Sequence, residues 1–142
     1  MSTRSWIAKE EKDGNVKGVF CHWDGYPAHH GAILHYKYAD ESQVNYLIGL
    51  GNLDSLGSIQ SLNDLSEGAR AWHRDGEEDW EDCKPMEWEC LDDCILDAIK
   101  DPHINFLYVY KRTELHGCDI WSWYCYDLFH LRKIIPNLCV SL

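Results

Sequence analysis

Apolar and polar positions alternate from the start of the chain. Residues 5–11 (SWIAKEE) and 16–23 (VKGVFCHW) each read as a strand, and Asp13-Gly14-Asn15 between them predicts a hairpin. In the second run Val16, Gly18, Phe20 and His22 share one face, and Lys17, Val19, Cys21 and Trp23 share the other. The alternation then stops. Gly25 can take a positive φ, while Pro27 fixes its own φ and biases Tyr26 towards extended backbone. This predicts a strand end, a rigid turn and a helix entered at about Gly31, with Ile33, Leu34 and Tyr38 at helical spacing. Asp40 with Gln43 three residues on predicts a capped helix over 41–50, with Val44, Leu47 and Ile48 buried and Gly49 and Gly51 at its end.

The pattern is weaker in the middle of the chain. Residues 52–66 are rich in Gly, Ser, Asn and Leu and read as a partly packed loop with short helical turns. Residues 68–73 (GARAWH) read as a short strand. Leu91, Ile95 and Ile99 form a helical stripe that must stop before Pro102. Residues 105–111 (NFLYVYK) and 119–127 (DIWSWYCYD) are aromatic and β-branched strands, and a short helix over 128–135 ends at Pro136. No repeat or linker divides the chain. The expected fold is a single α+β domain over 1–142, a mostly antiparallel sheet of about five strands with three to four short helices.

With 142 residues and a 45% hydrophobic fraction, the chain can bury a core. It has no apolar run long enough to span a membrane, and its polar first residues lack a signal-peptide core, which together place it in a cytosol. Its seven cysteines form no Cys-x-x-Cys pair and are expected to be reduced. The net charge of −11 is uneven: residues 61–100 carry −9, and 75–93 hold ten acids against Lys84 alone. Such a surface repels nucleic acid and membranes and attracts basic protein. Trp80, Met86 and Trp88 lie within the run. A merely solvated face rarely carries two tryptophans, whereas aromatic anchors inside a charged rim suit a protein-binding patch.

The densest chemistry lies in Cys21-His22-Trp23-Asp24-Gly25-Tyr26-Pro27 and on through His29 and His30 to Gly31. His22, His29, His30 and His35 near Cys21 and Asp24 raise a metal site, but Cys21 and His22 point to opposite faces of one strand. A hydrogen-bonded strand-end histidine beside a packed Trp23 fits better. Cys21, a histidine and Asp24 also spell a nucleophilic set, which needs a base within reach and a depressed thiol pKa. Cys83, Cys90 and Cys94 with His73 lack the paired knuckles of a zinc site and read as small buried side chains. His73-Arg74-Asp75 matches a kinase catalytic loop in letters only. Arg74 instead suits pairing with Asp24 or a following acid, or gripping a small anion.

Several stretches together carry a resemblance. Ser2-Thr3-Arg4-Ser5, Val16-Lys17-Gly18, the CHWDGYP stretch from Cys21 to Pro27, Leu47-Ile48 through Gly57, and Ala71-Trp72-His73-Arg74-Asp75 follow in an order that resembles a family of small bacteriophage- and prophage-encoded proteins. The order of motifs covers roughly the whole chain. The resemblance implies phage origin and expression in the host bacterial cytoplasm, and it transfers no catalytic residue. His29-His30 and the longer acidic run depart from it.

The expected function is therefore a small acidic phage accessory protein that, without catalysis or cofactor, binds and inhibits a bacterial host factor, a defence or nucleic-acid-handling protein with a basic surface. Glu77, Glu78, Asp79, Trp80, Glu81, Asp82 and Trp88 would make the contact. The alternative is a protein that sequesters a small nucleotide-like signal in a pocket of Arg4, His22, Trp23, Asp24, Tyr26, His73 and Arg74. A third reading is a hydrolase centred on Cys21, His22 and Asp24.

Overall fold

The computed structural model describes residues 3–57, 68–73 and 79–134. The first hairpin forms as its pattern predicts. Strand β1 (Ser5–Glu10) pairs antiparallel with β2 (Val16–Cys21), from Ser5 opposite Cys21 to Glu10 opposite Val16. Gly14 takes the positive φ of the turn, and Asn15 N–H donates to the Asp13 carboxylate at 2.9 Å.

Helix α1 (Pro27–Lys37) begins four residues earlier than the pattern of apolar positions suggested. Pro27 is its first residue, where a fixed φ is already helical and a missing N–H costs nothing. Tyr26 before it is extended, and its carbonyl accepts the N–H groups of His29 and His30. Helix α2 (Glu41–Gly49) carries the expected capping box. The Asp40 side chain accepts from Gln43 N–H at 2.9 Å, and the Gln43 side chain accepts from Asp40 N–H at 3.3 Å.

The loop expected over 52–66 contains strand β3 (Leu53–Ser55), while 58–66 lie outside the described residues. The strand read over 68–73 shrinks to β4 (Arg70–Ala71). Inside the acidic run stand helix α3 (Trp80–Cys83) and strand β5 (Met86–Trp88), which composition concealed. Helix α4 (Leu91–Lys100) follows. Strands β6 (Phe106–Leu115) and β7 (Cys118–Asp127) are longer than predicted and meet at His116-Gly117, both with positive φ as a two-residue hairpin turn requires. Helix α5 (Leu128–Ile134) completes the described chain.

The sheet is mostly antiparallel, as expected, but mixed: four of its strand pairings are antiparallel and two parallel, and it has seven strands, not five, among the described residues. Its order is β4-β3-β2-β1-β6-β7, with β5 added against β2. β1 with β6 and β2 with β3 are the parallel pairs. Both follow long crossovers: α1 and α2 intervene between β2 and β3, and most of the chain between β1 and β6. Period-two alternation is the same in either direction, so the strand pattern could not distinguish them.

Helices cover both faces of this α+β sheet. Ile7, Val19, Cys21, Tyr108 and Tyr110 pack against Ile33 and Leu34 of α1 and Val44, Leu47 and Ile48 of α2. Ala8, Val16, Leu107 and Val109 pack against Cys94, Ala98 and Ile99 of α4 and Leu128 of α5. Arg132 of α5 clamps the end of α4, its guanidinium donating to the carbonyls of Ala98, Ile99, Asp101 and Ile104. Among the described residues no helix is long and apolar enough to cross a membrane.

Candidate functional site

The stretch from Cys21 to Gly31 folds into two environments. One is a buried polar chain. His29 Nε2 lies 2.9 Å from the Gly57 carbonyl, His29 Nδ1 lies 3.2 Å from His30 Nδ1, and His30 Nε2 lies 3.3 Å from Cys21 Sγ. A carbonyl only accepts, so His29 carries its proton on Nε2. His29 Nδ1 is then bare and accepts from His30 Nδ1–H. His30 Nε2 is left to accept the thiol proton of Cys21. All three side chains are satisfied with every group neutral.

Burial enforces that neutrality. Cys21 and His30 are fully buried. Desolvation, with the nearby Asp54 and Asp24 carboxylates adding, pushes the Cys21 thiol up to about 12. Desolvation and the His29 ring together hold His30 down at about 3. A nucleophilic cysteine needs the opposite shift and an approach for substrate. The Cys21–His22–Asp24 grouping does not form: His22 lies beyond the strand end on the other face, between the rings of Trp23 at 4.6 Å and Trp72 at 5.4 Å.

The second environment is the turn itself. The positive φ belongs to Asp24 at 60°, a residue type that tolerates it, and not to Gly25. Gly25 is required for a different reason. Its N–H donates to the Thr3 carbonyl at 2.8 Å, and a Cβ there would meet that same oxygen at 2.8 Å. Tyr108 reaches from β6 to donate to the Gly25 carbonyl, anchoring the turn to the sheet. Trp23 is 45% exposed, so it is not the packed core side chain that its position suggested. Its backbone continues the β2–β3 ladder through Asp54 while its ring faces outward.

Among the described residues, the side chains anticipated for a pocket are held by different parts of the fold. Arg4 is fixed through its backbone to Asn105. Asp24 and the half-exposed Tyr26 lie at the start of α1, Tyr26 against His29 at 5.8 Å. His73 bonds the Leu50 carbonyl through Nε2 at 2.9 Å and meets Trp80 at 4.8 Å. Arg74 lies outside the described residues.

A hollow of about 220 Å³ does open close to His22, lined by Phe20, Asn52, Trp72, Asp82 and Cys83. It terminates a row of rings across the sheet. Trp88 meets Trp6 at 5.6 Å, Trp6 meets Phe20 at 6.1 Å, and Phe20 meets His22 at 6.2 Å before His22 reaches Trp72. Asn52 stitches the walls together. Its side-chain oxygen accepts from Phe20 N–H at 2.9 Å, its carbonyl accepts from Trp72 N–H at 2.9 Å, and its N–H donates to the Cys83 carbonyl at 2.7 Å. Gly51, with φ of 77°, lets α3 press this close, since a Cβ there would lie 2.5 Å from the Cys83 carbonyl oxygen.

Helix α3 forms the acidic rim. Asp79, Glu81 and Asp82 are exposed, and Glu81 pairs with Lys84 at 2.9 Å. Trp80 is 40% exposed against His73. Glu77 and Glu78 lie outside the described residues. Trp88 is committed elsewhere: its ring packs on Trp6 and its Nε1–H donates to Asp97 at 2.7 Å. Phe20, Asn52 and Trp72 were not among the candidate site residues read from the sequence, because a hollow between β2, β3 and α3 depends on strand pairings that periodicity does not disclose.

Cys21, Cys90, Cys94, Cys118 and Cys125 are free thiols, and among the described residues no three His, Cys, Asp or Glu side chains gather as a metal-binding group. Compared with family models, with curated proteins and with solved structures, the chain finds no match.

Proposed function

We propose that this chain is a non-catalytic binding protein that docks the acidic rim around α3 onto a basic surface of a partner protein. The setting we favour, on the resemblance of its motifs, is a phage-encoded inhibitor of a bacterial host factor. The observation that carries the docking is Trp80: an indole 40% exposed, held in place by the His73 ring, among the exposed carboxylates of Asp79, Glu81 and Asp82. A positioned aromatic inside a charged rim supplies both steering and a desolvated anchor. The sealed, fully neutral Cys21–His30 pair gives a hydrolase no support. Nor does the carboxylate beside the aromatic hollow favour an anionic nucleotide.

The test is capture of host proteins on the immobilised chain, compared with Trp80→Ala and with the combined Asp79→Asn, Glu81→Gln, Asp82→Asn variant. A protein retained by the native chain and lost from both variants supports the docking. Identical capture by all three chains overturns it.

A further inference from the structure

We infer that the hollow bounded by Phe20, Asn52, Trp72, Asp82 and Cys83 is a socket for one guanidinium side chain, an arginine of the docked partner. The inference rests on the proposed docking and assigns the residue that would fill this cavity. Three features converge on it.

The first is size. At about 220 Å³ the hollow falls below the ~300–1,000 Å³ of ordinary small-molecule sites but has room for one long side chain. The second is the walls. Phe20 and Trp72 present aromatic rings, which attract a cation through their negative faces, and Asp82 places a carboxylate beside them.

The third is the balance of donors and acceptors. The N–H groups of Phe20, Trp72 and Asn52 are spent on partners within the lining. The Asn52 side-chain oxygen and the Asn52 carbonyl each accept one of these and have a second lone pair. Open Asn52 acceptors beside a carboxylate and aromatic rings suit a cationic ligand that donates. Guanidinium is such a group. It is planar enough to lie along aromatic faces and less strongly hydrated than an ammonium, so an arginine fits better than a lysine. The net charge of −11 brings basic segments to the surface before any such contact forms. Because Asn52 already ties β2, β4 and α3 together, the socket is built before the partner arrives and loses little order on filling.

The probe is N-acetyl-arginine amide, with the citrulline analogue as its neutral isostere, titrated into the labelled full chain while the indole N–H resonances are followed by NMR. Trp72→Phe identifies the Trp72 signal. Saturable movement of that signal with the arginine compound and none with citrulline is expected. Asp82→Asn should weaken the binding about two- to fivefold, as loss of one exposed ion pair implies, while Asp119→Asn at the start of β7, an equal change in charge, should not. Equal shifts from citrulline, or affinity untouched by Asp82→Asn, overturn the socket. Asp82 is exposed, so its substitution does not threaten the fold as loss of Trp72 does. The two proposals can fail separately. No arginine binding, with partner capture still dependent on Trp80 and Glu81, overturns the socket alone. Arginine bound in the hollow, with capture indifferent to Trp80 and Glu81, upholds the socket and overturns the docking.

Discussion

His30 Nε2 lies 3.3 Å from Cys21 Sγ, and neither side chain reaches solvent. Two residues nine apart in sequence meet because β2 ends at Cys21 and α1 starts at Pro27, folding the first turn of the helix back over the strand. The letters suggest a reactive pair, but the burial makes it an inert one. A neutral thiol donates to a neutral imidazole, and desolvation opposes charge on both.

Thiol labelling should read this directly. Under native conditions Cys90 and Cys118, both exposed, should react readily with a disulfide reagent. Cys21 and Cys94, buried with thiols pushed up to about 12, should react only as fast as the fold opens. Peptide mapping after a short pulse checks it. Labelling of Cys21 as fast as Cys118 would restore the nucleophile reading.

Acid should find the same pair. His30 is held at about 3 in the folded chain against an ordinary 6.5, so the unfolded chain binds the proton more readily. The stability this neutral ring contributes is intact above about pH 6.5 and is lost as pH falls towards 3. Between pH 7 and pH 5 the loss from this group alone is about 2 kcal/mol. The His29 ring, the Cys21 thiol and the Asp24 backbone carbonyl face His30, and only the carbonyl favours the charged form. Denaturant unfolding at several pH values checks the slope, which should flatten in His30→Gln.

Much of the backbone was legible before any coordinates. The β1–β2 hairpin, the Asp40–Gln43 cap and the two aromatic strands near the end are local features, each set by residues adjacent in sequence. The elements that were hidden depend on distant partners. β4 is a two-residue edge, β3 exists because β2 and β4 flank it, and β5 exists because Val16 to Gly18 gives it a ladder. The site follows the same division. Asp82 was visible as one acid among many, but nothing local says that it adjoins Trp72 and Phe20. His29 and His30 were set aside from the sequence, yet their burial organises the first turn of α1.

The two outwardly similar tryptophans should separate under mutation. Trp23→Ala removes a ring that is nearly half exposed and should cost under about 1 kcal/mol. Trp88→Ala removes a half-buried ring from Trp6 and strands the Asp97 hydrogen bond, costing about 2–4 kcal/mol. Gly18→Ala should also destabilise, since its Cβ would sit 3.0 Å from Trp88 and 3.2 Å from the Ala8 methyl carbon. Combining Gly18→Ala with Trp88→Ala should cost less than the two losses added, because the first clash then disappears. Thermal or denaturant melting of the four chains decides it.

The acidic segment gives the prediction that bears most on function. If Asp79, Glu81 and Asp82 only keep the surface solvated, neutralising them with Glu77 and Glu78 should leave any partner association unchanged, and relief of self-repulsion should stabilise the fold slightly. If they steer docking, the same change should slow association strongly at low salt. It should do so much less at 1 M, where the Debye length falls to about 3 Å. Trp80→Ala should act on the other side of the equilibrium, speeding dissociation with little dependence on salt, because a desolvated ring holds a complex after it has formed. Trp88, turned into the core, should show its effect in melting instead and not in dissociation beyond what destabilisation explains. Association and dissociation rates measured across a salt series, with the captured partner on the sensor, separate these outcomes. An association rate indifferent to both charge and salt would leave the acidic run a solvated face and remove α3 from the docking surface.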